Sequence, residues 1–176
     1  RDSVASRGLG DVYKRQTLSD FIGAWKVLRM ARDSMLKAGR HQWTSEYPCA
    51  KNVMEDITSN QAYVLEAEEE IVGYVVIAKN GEPKYHDIQG RWLSEQDYFV
   101  LHRLAISPTV RGKGLAKQIF HEVENLCISQ AIHSIKIDTN NDNVEMLGML
   151  QKLGFTYCGI INYDKNKQRL AFEKLV

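Results

Sequence analysis

Two periods of apolar residues alternate along this chain, and together they predict its elements. "TLSDFIGAWKVLRMARDSMLKAG" places Phe21, Trp25, Leu28 and Met35 at helical spacing. Thr17 and Asp20 form a capping-box-like start, with Asp where Glu is usual, and Gly39 supplies the stop. A loop, "RHQWTSEYP", leads to a short helix in "AKNVMEDITS". "QAYVLEA" and "IVGYVVIAK" read as two strands of a hairpin, joined by an acidic turn at Glu68 to Glu70. "NGEPKYHDIQGRWLSEQ" has no period and is long for a connection inside a domain, a length often tied to function.

The second half repeats the alternation. "YFVLHRLAI" is a strand ended by Pro108. Leu115, Ile119, Phe120, Val123 and Leu126 then form a helical stripe. "HSIKIDT" is a strand with Ile135 and Ile137 on one face, and Met146, Leu147, Leu150 and Leu153 mark a helix that stops at Gly154. "FTYCGIIN" and "RLAFEKLV" pair across "YDKNKQ". A hairpin, a strand–helix–strand unit and a closing hairpin describe a mixed α/β, or α+β, sheet with helices on both faces.

Composition narrows this little. The 176 residues suit one domain, and a formal net charge of +1 gives no general drive toward nucleic acid or an anionic membrane. Cys49, Cys127 and Cys158 form no CxxC pair, which fits reduced thiols in a cytoplasmic protein better than disulfides or a zinc site. No metal is expected. No apolar run approaches the roughly 20 residues of a membrane helix.

The opening, "RDSVASRGLGDVYKRQ", has no hydrophobic period. "DVYKRQ" is what the end of a common sequencing-library transposon encodes in one reading frame, and "RDS" is what it encodes in another. Residues 1–16 are expected to be non-native read-through, disordered or poorly packed, with the natural start missing and one domain over residues 17–176; a disordered natural tail is the alternative.

Candidate chemistry centres on "SPTVRGKG", between a strand and a helix. Gly112 and Gly114 let backbone amides approach a ligand, the helix N-terminus attracts anions, and Arg111, Lys113 and Lys117 add charge. On spacing alone this is a phosphate cradle or a cationic surface turn. It is not a P-loop, because Gly112–Lys113 is followed by Gly114 rather than Ser or Thr. It is not a dinucleotide fingerprint either, since "GKGLAK" lacks the third glycine.

"LAISPTVRGKGLAKQIF" resembles the acetyl-CoA-binding signature of the GNAT superfamily of N-acyltransferases, Arg/Gln-x-x-Gly-x-Gly/Ala, met by Arg111, Gly114 and Ala116. "NVEMLGMLQKLGF" resembles the family's second motif through Asn143, Leu153, Gly154 and Phe155, about 30 residues on. The resemblance runs from Thr17 to Val176. It implies a mixed, mostly antiparallel sheet splayed between the fourth and fifth strands, and acetyl-CoA as co-substrate. Backbone groups of Leu104 and Ile106 would meet the pantetheine arm or polarise the thioester. Arg111 and the loop Gly112, Lys113, Gly114, Leu115, Ala116 and Lys117 would hold the pyrophosphate, with Asn143 on the other side.

The chain departs from the family at the general acid: seven residues after the Asn, where many members carry Tyr, stands Leu150. His102, two residues before Leu104 and expected on the same face, is either a general base or a core histidine. Arg103, expected on the opposite face, would orient an acceptor carboxylate or pair with an acid, and pairing is favoured. The acceptor pocket implied by the family lies between "GRHQWTSEYP" and "KYHDIQGRWLSEQDY", where Gln42, Trp43, Tyr47 and Trp92 are binding candidates. The expected activity is acetyl transfer from acetyl-CoA to a primary amine of a small molecule or peptide by direct attack. A non-catalytic acyl-CoA-binding module is the alternative. Neither nucleic acid nor membrane is an expected partner, and a homodimer stays open.

Overall fold

The period-two segments pair into one sheet in the computed structural model, which describes residues 13–176. The strands are β1 (Tyr13–Arg15), β2 (Ala62–Ala67), β3 (Glu70–Lys79), β4 (Gln89–Gly90), β5 (Phe99–Ile106), β6 (Ser134–Thr139), β7 (Thr156–Asp164) and β8 (Lys167–Leu175). Their order in space is β1-β2-β3-β5-β6-β8-β7-β4. Among the described strands only β5 and β6 run parallel, and they pair through just Phe99↔Ile135 and Val100↔Lys136 before separating. Leaving aside the two-residue β4 at the far edge, these are the fourth and fifth strands, as the family resemblance implies.

The helices are α1 (Phe21–Lys37), α2 (Ala50–Thr58), α3 (Leu115–Ser129) and α4 (Val144–Lys152). The backbone amide of Thr17 donates to Asp20 Oδ2 at 2.9 Å, which starts a short 3-10 turn leading into α1. The fully enclosed face of α1 is Ala24, Val27, Leu28 and Ala31; of the expected stripe Leu28 lies on that face, while Phe21, Trp25 and Met35 are half-buried against the same core. Close approach is the reason: a Cβ on Gly23 would lie 2.8 Å from Ile71 Cδ1, so small residues face the sheet. With α2, this helix packs on Val64, Tyr74, Val76 and Ala105. On the other face, α3 and α4 bring Ile119, Phe120, Val123 and Leu150 against Leu101, Ile135 and Ile137. Burying side chains of this size stabilises by about 1.5–3 kcal/mol each.

Two local findings depart from the sequence reading. First, Tyr13–Arg15 pairs antiparallel with β2, and Gln16 is buried, so the packed region begins before Thr17. The read-through expected before Tyr13 lies outside the described residues. Second, the long loop before β5 is tied down. Buried Glu173 accepts from the Leu93 amide at 2.6 Å, the Ser94 hydroxyl at 2.6 Å and the Ser134 hydroxyl at 2.7 Å. Buried Lys136 lies 4.5 Å from the Trp92 ring centroid and 4.1 Å from that of Tyr98. A carboxylate and an ammonium inside a sheet need such partners.

The pairing of β3 with β5 is interrupted. Val76 faces His102, but the next pair is Tyr74 and Ala105, so β5 carries one extra residue. Arg103 in that bulge has φ 52°. The extra residue inverts the alternation beyond it: Leu104 and Ile106 join the α3 side, while Ala105 packs on the α1 side.

Candidate functional site

The glycine loop leaves β5 through a short 3-10 turn at Pro108–Val110 and opens into α3. Gly112 and Gly114 have φ 82° and 76°, conformations that other residues adopt at a cost. A Cβ at either would meet nothing within 4 Å, so the backbone conformation, not crowding, requires glycine. Gly114 is the N-cap of α3 and offers no side chain to the first turn. The amides of Leu115, Ala116 and Lys117 therefore have no intrahelical acceptor and present an anion site. Arg111, Lys113 and Lys117 are exposed around them, and Arg111 Nη1 donates to Ser34 Oγ of α1 at 3.0 Å.

Next to this loop the sheet is open. Beyond Val100 and Lys136 the β6-facing edge of β5 has no ladder partner among the described residues, and this stretch contains Leu104 and Ile106. A cleft of about 1100 Å³ occupies the opening, lined by Leu101–Leu104 on one wall and Ile137–Asn141 on the other. Further boundaries come from β3 and the turn after it at Gly81 and Glu82, from the α1–α2 loop and from the β7–β8 hairpin between Tyr163 and Leu170.

Gln42 joins the α1–α2 loop to the end of β6. Its Oε1 accepts from Thr139 Oγ1 at 2.9 Å, from the Asn140 amide at 3.1 Å and from Asn143 Nδ2 at 3.3 Å. Asn143 caps α4 through the Met146 amide, so its side chain is engaged on both ends. Arg40 pairs with Glu145 at 2.8 Å nearby. Trp43 is buried and lines the cleft, and Tyr47 stands half-exposed at its rim. Trp92 does not line it. Its Nε1 donates to the Tyr85 carbonyl at 2.9 Å and its ring packs on Tyr85, so it anchors the long loop.

His102 and Arg103 lie on the same side of the sheet because of the bulge, opposite Leu104, which corrects the simple alternation expected from sequence. Arg103 Nε donates to Asp56 Oδ2 at 2.9 Å, Nη1 to the Tyr47 hydroxyl at 2.9 Å, and Nη2 to Asp56 Oδ1. The pairing expected of Arg103 is thus with Asp56 of α2. His102 Nε2 lies 3.7 Å from Glu82 Oε2. Burial, then the Arg103 charge, lowers the imidazole pKa to about 4, with Glu82 and Asp56 opposing. His102 is consequently neutral at pH 7.

Sequence reasoning missed Glu82 and Asp138. Asp138 Oδ2 accepts from the Tyr163 hydroxyl at 2.8 Å and the Tyr85 hydroxyl at 2.9 Å, and burial raises its pKa. The signal was available: Lys136 and Asp138 alternate with Ile135 and Ile137 on a central strand, and charges there need a cleft or partners. Leu150 is fully buried in the α3-side core and does not line the cleft, whereas Met146 does. Among the described residues no group of three or more His, Cys, Asp or Glu could hold a metal ion.

Comparison with known proteins gives the same architecture. Residues 27–155 match the Acetyltransferase (GNAT) family. The chain is 27% identical over 149 residues to N-acetyltransferase 8B of Homo sapiens, covering 78% of this chain but only 62% of that protein. A GNAT-family acetyltransferase from Streptococcus agalactiae 2603 superposes with a TM-score of 0.83 at 29% identity, over 93% of this chain and 94% of that one. PaiA N-acetyltransferase from Thermoplasma acidophilum, solved in complex with coenzyme A, shares the fold with a TM-score of 0.68 at 15% identity, over 93% and 98% of the two chains. The splayed strands, the glycine loop and a match across most of its length show that the chain belongs to the GNAT family of acetyltransferases.

Proposed function

We propose that the protein is an N-acetyltransferase that moves the acetyl group of acetyl-CoA to a primary amine of a small molecule or peptide by direct attack. The observation that carries this reading is the opening between β5 and β6, with an anion-binding loop beside it and a neutral histidine in the cleft. The residues present suit the co-substrate. Amides from Gly112 to Lys117, with Arg111, Lys113 and Lys117, would hold the pyrophosphate, and the unpaired edge at Leu104 and Ile106 would meet the pantetheine arm. That the T. acidophilum fold neighbour was solved in complex with coenzyme A supports the choice of co-substrate.

The acetyl thioester supplies the activated acyl group; this chain's residues do the rest. The Leu104 amide donates to the acyl oxygen, a preorganised contribution typically worth about 2.7–4 kcal/mol in acyl transfer. The acceptor reacts as the neutral amine; once the C–N bond forms and the amide develops, the nitrogen's proton is far more acidic than that of a free ammonium, and His102 Nε2, neutral and beside Glu82, takes it. Asp138 and Glu82 make this part of the cleft attractive to a cation. Gln42 and Trp43 shape the wall and Tyr47 the rim, while Asn143 acts mainly by fixing Gln42 and α4.

Direct attack is favoured over an acyl-cysteine route. Cys127 and Cys158 are buried, burial raises both thiols (Cys127 to about 12), and no cysteine lines the cleft. Leu150 offers no proton, and a leaving thiol of pKa about 8.5 needs little help near neutrality. Reduced thiols fit a cytoplasmic enzyme. No helix among the described residues is long and apolar enough to cross a membrane.

Leu150 is also what favours the second reading, a module that binds acyl-CoA without turnover. A thiol-release assay with acetyl-CoA against a broad panel of primary amines separates the two. Release dependent on one class of amine is expected. Tight coenzyme A binding with no release on any amine would establish the module instead.

A further inference from the structure

The bulge that sets Leu104 toward the α3 side is held by one carboxylate from outside the sheet. The extra residue, Arg103, has φ 52°, unfavourable for a side-chain-bearing residue in a strand, and it persists only where neighbours fix it. What fixes it is Asp56, 5% exposed on α2. Both Asp56 oxygens accept from the Arg103 guanidinium, and Oδ2 also accepts from the Tyr74 hydroxyl at 2.5 Å. Tyr74 is the β3 residue at which pairing resumes, opposite Ala105. One carboxylate thus grips both flanks of the bulge, the extra residue on β5 and the first re-paired residue on β3. Tyr47 closes the arrangement by accepting from Arg103 Nη1.

We propose that Asp56 is a positioning residue for acyl transfer: it locks the Arg103 bulge and so aims the Leu104 amide at the acyl oxygen. The inference rests on the acetyltransferase reading. Asp56 does not itself line the cleft or the glycine loop; it reaches the site through Arg103 and Tyr74, and through its charge on His102, which the thioester carbonyl stretch does not sense. Loosening the bulge would let β5 slip toward regular pairing with β3. A slip of one residue turns Leu104 to the other face and redirects its amide.

The test reads the carbonyl directly and needs no acceptor. Difference infrared spectra of [1-13C]acetyl-CoA bound to the wild-type protein should show the thioester carbonyl stretch moved to lower frequency than in free acetyl-CoA. Asp56→Asn keeps the size of the side chain but weakens its hold on Arg103. It should keep acetyl-CoA affinity within about threefold while losing most of that displacement. The double variant Asp56→Asn with Arg103→Gly should recover it, because glycine adopts φ near 50° without a side-chain anchor. Tyr74→Phe, which removes one hydroxyl and no packing, should lose part of it and serves if Asp56→Asn does not fold. A wild-type protein that does not bind acetyl-CoA would refute the parent reading. Binding with no displaced carbonyl, or a displacement unchanged in a folded Asp56→Asn or Tyr74→Phe variant, would overturn the role assigned to Asp56.

Discussion

Consider an acid titration that reaches His102. Burial, then Arg103, holds this imidazole near pKa 4 against the ordinary 6.5, with Glu82 and Asp56 only partly compensating. At about 1.4 kcal/mol per pH unit, the difference amounts to about 3 kcal/mol. The sign follows from where the proton binds. Between pH 6.5 and about 4 the unfolded chain accepts a proton that the folded chain refuses, so stability falls as pH falls. Above that window the residue adds no slope; below it both states carry the proton and the loss is complete. Urea unfolding of wild type and His102→Gln at several pH values from 7.5 to about 3.5 isolates the effect, because the carboxylates and the other histidines titrate in both proteins. The wild type should lose about 3 kcal/mol more than the variant across this range. Parallel curves would refute burial as the force acting on His102. The same reasoning places no His102 limb near pH 6.5 in kcat/KM. A limb there that disappears in His102→Gln would mean that the imidazole is solvated in the working enzyme.

Three further outcomes are expected. Gly114→Val must place a β-branched residue at φ 76°, and should weaken coenzyme A binding tenfold or more, about 1.4 kcal/mol, by isothermal titration. Leu150→Tyr puts a larger ring into a fully enclosed site; it should cost about 1–3 kcal/mol in thermal unfolding and bring no gain in kcat. Gln16→Leu should raise stability by about 1–2 kcal/mol, since Gln16 is 4% exposed and neither amide atom has a partner among the described residues; an unchanged or lower Tm would count against that accounting.

The glycine loop and the α4 motif were legible because backbone conformation there demands particular residues at fixed spacing. The α1 face was legible only in part: its large side chains pointed to Leu28 and to the flank of Phe21, Trp25 and Met35, while the close approach of helix and sheet selected Gly23, Ala24 and Ala31, which carry little hydrophobic signal. The relation of His102 to Leu104 was misread because a bulge leaves no compositional mark. Arg103 is an ordinary residue in an extraordinary conformation, and its cause, Asp56, is 47 residues away. Trp92 shows the opposite failure. An aromatic residue in a long loop suggested ligand binding, but Lys136 and Tyr85 claim it. The Glu82–His102–Asp138 grouping needed the topology, since the turn after β3, β5 and β6 bring these residues to one cleft only after folding.

A crystal structure of the protein with bound acetyl-CoA tests the central claim most directly. The pyrophosphate should lie within about 3 Å of amides between Gly112 and Lys117, and the thioester oxygen should accept from the Leu104 amide in the opening between β5 and β6. Acetyl-CoA bound with its thioester away from that opening, or its pyrophosphate off the glycine loop, would contradict the account.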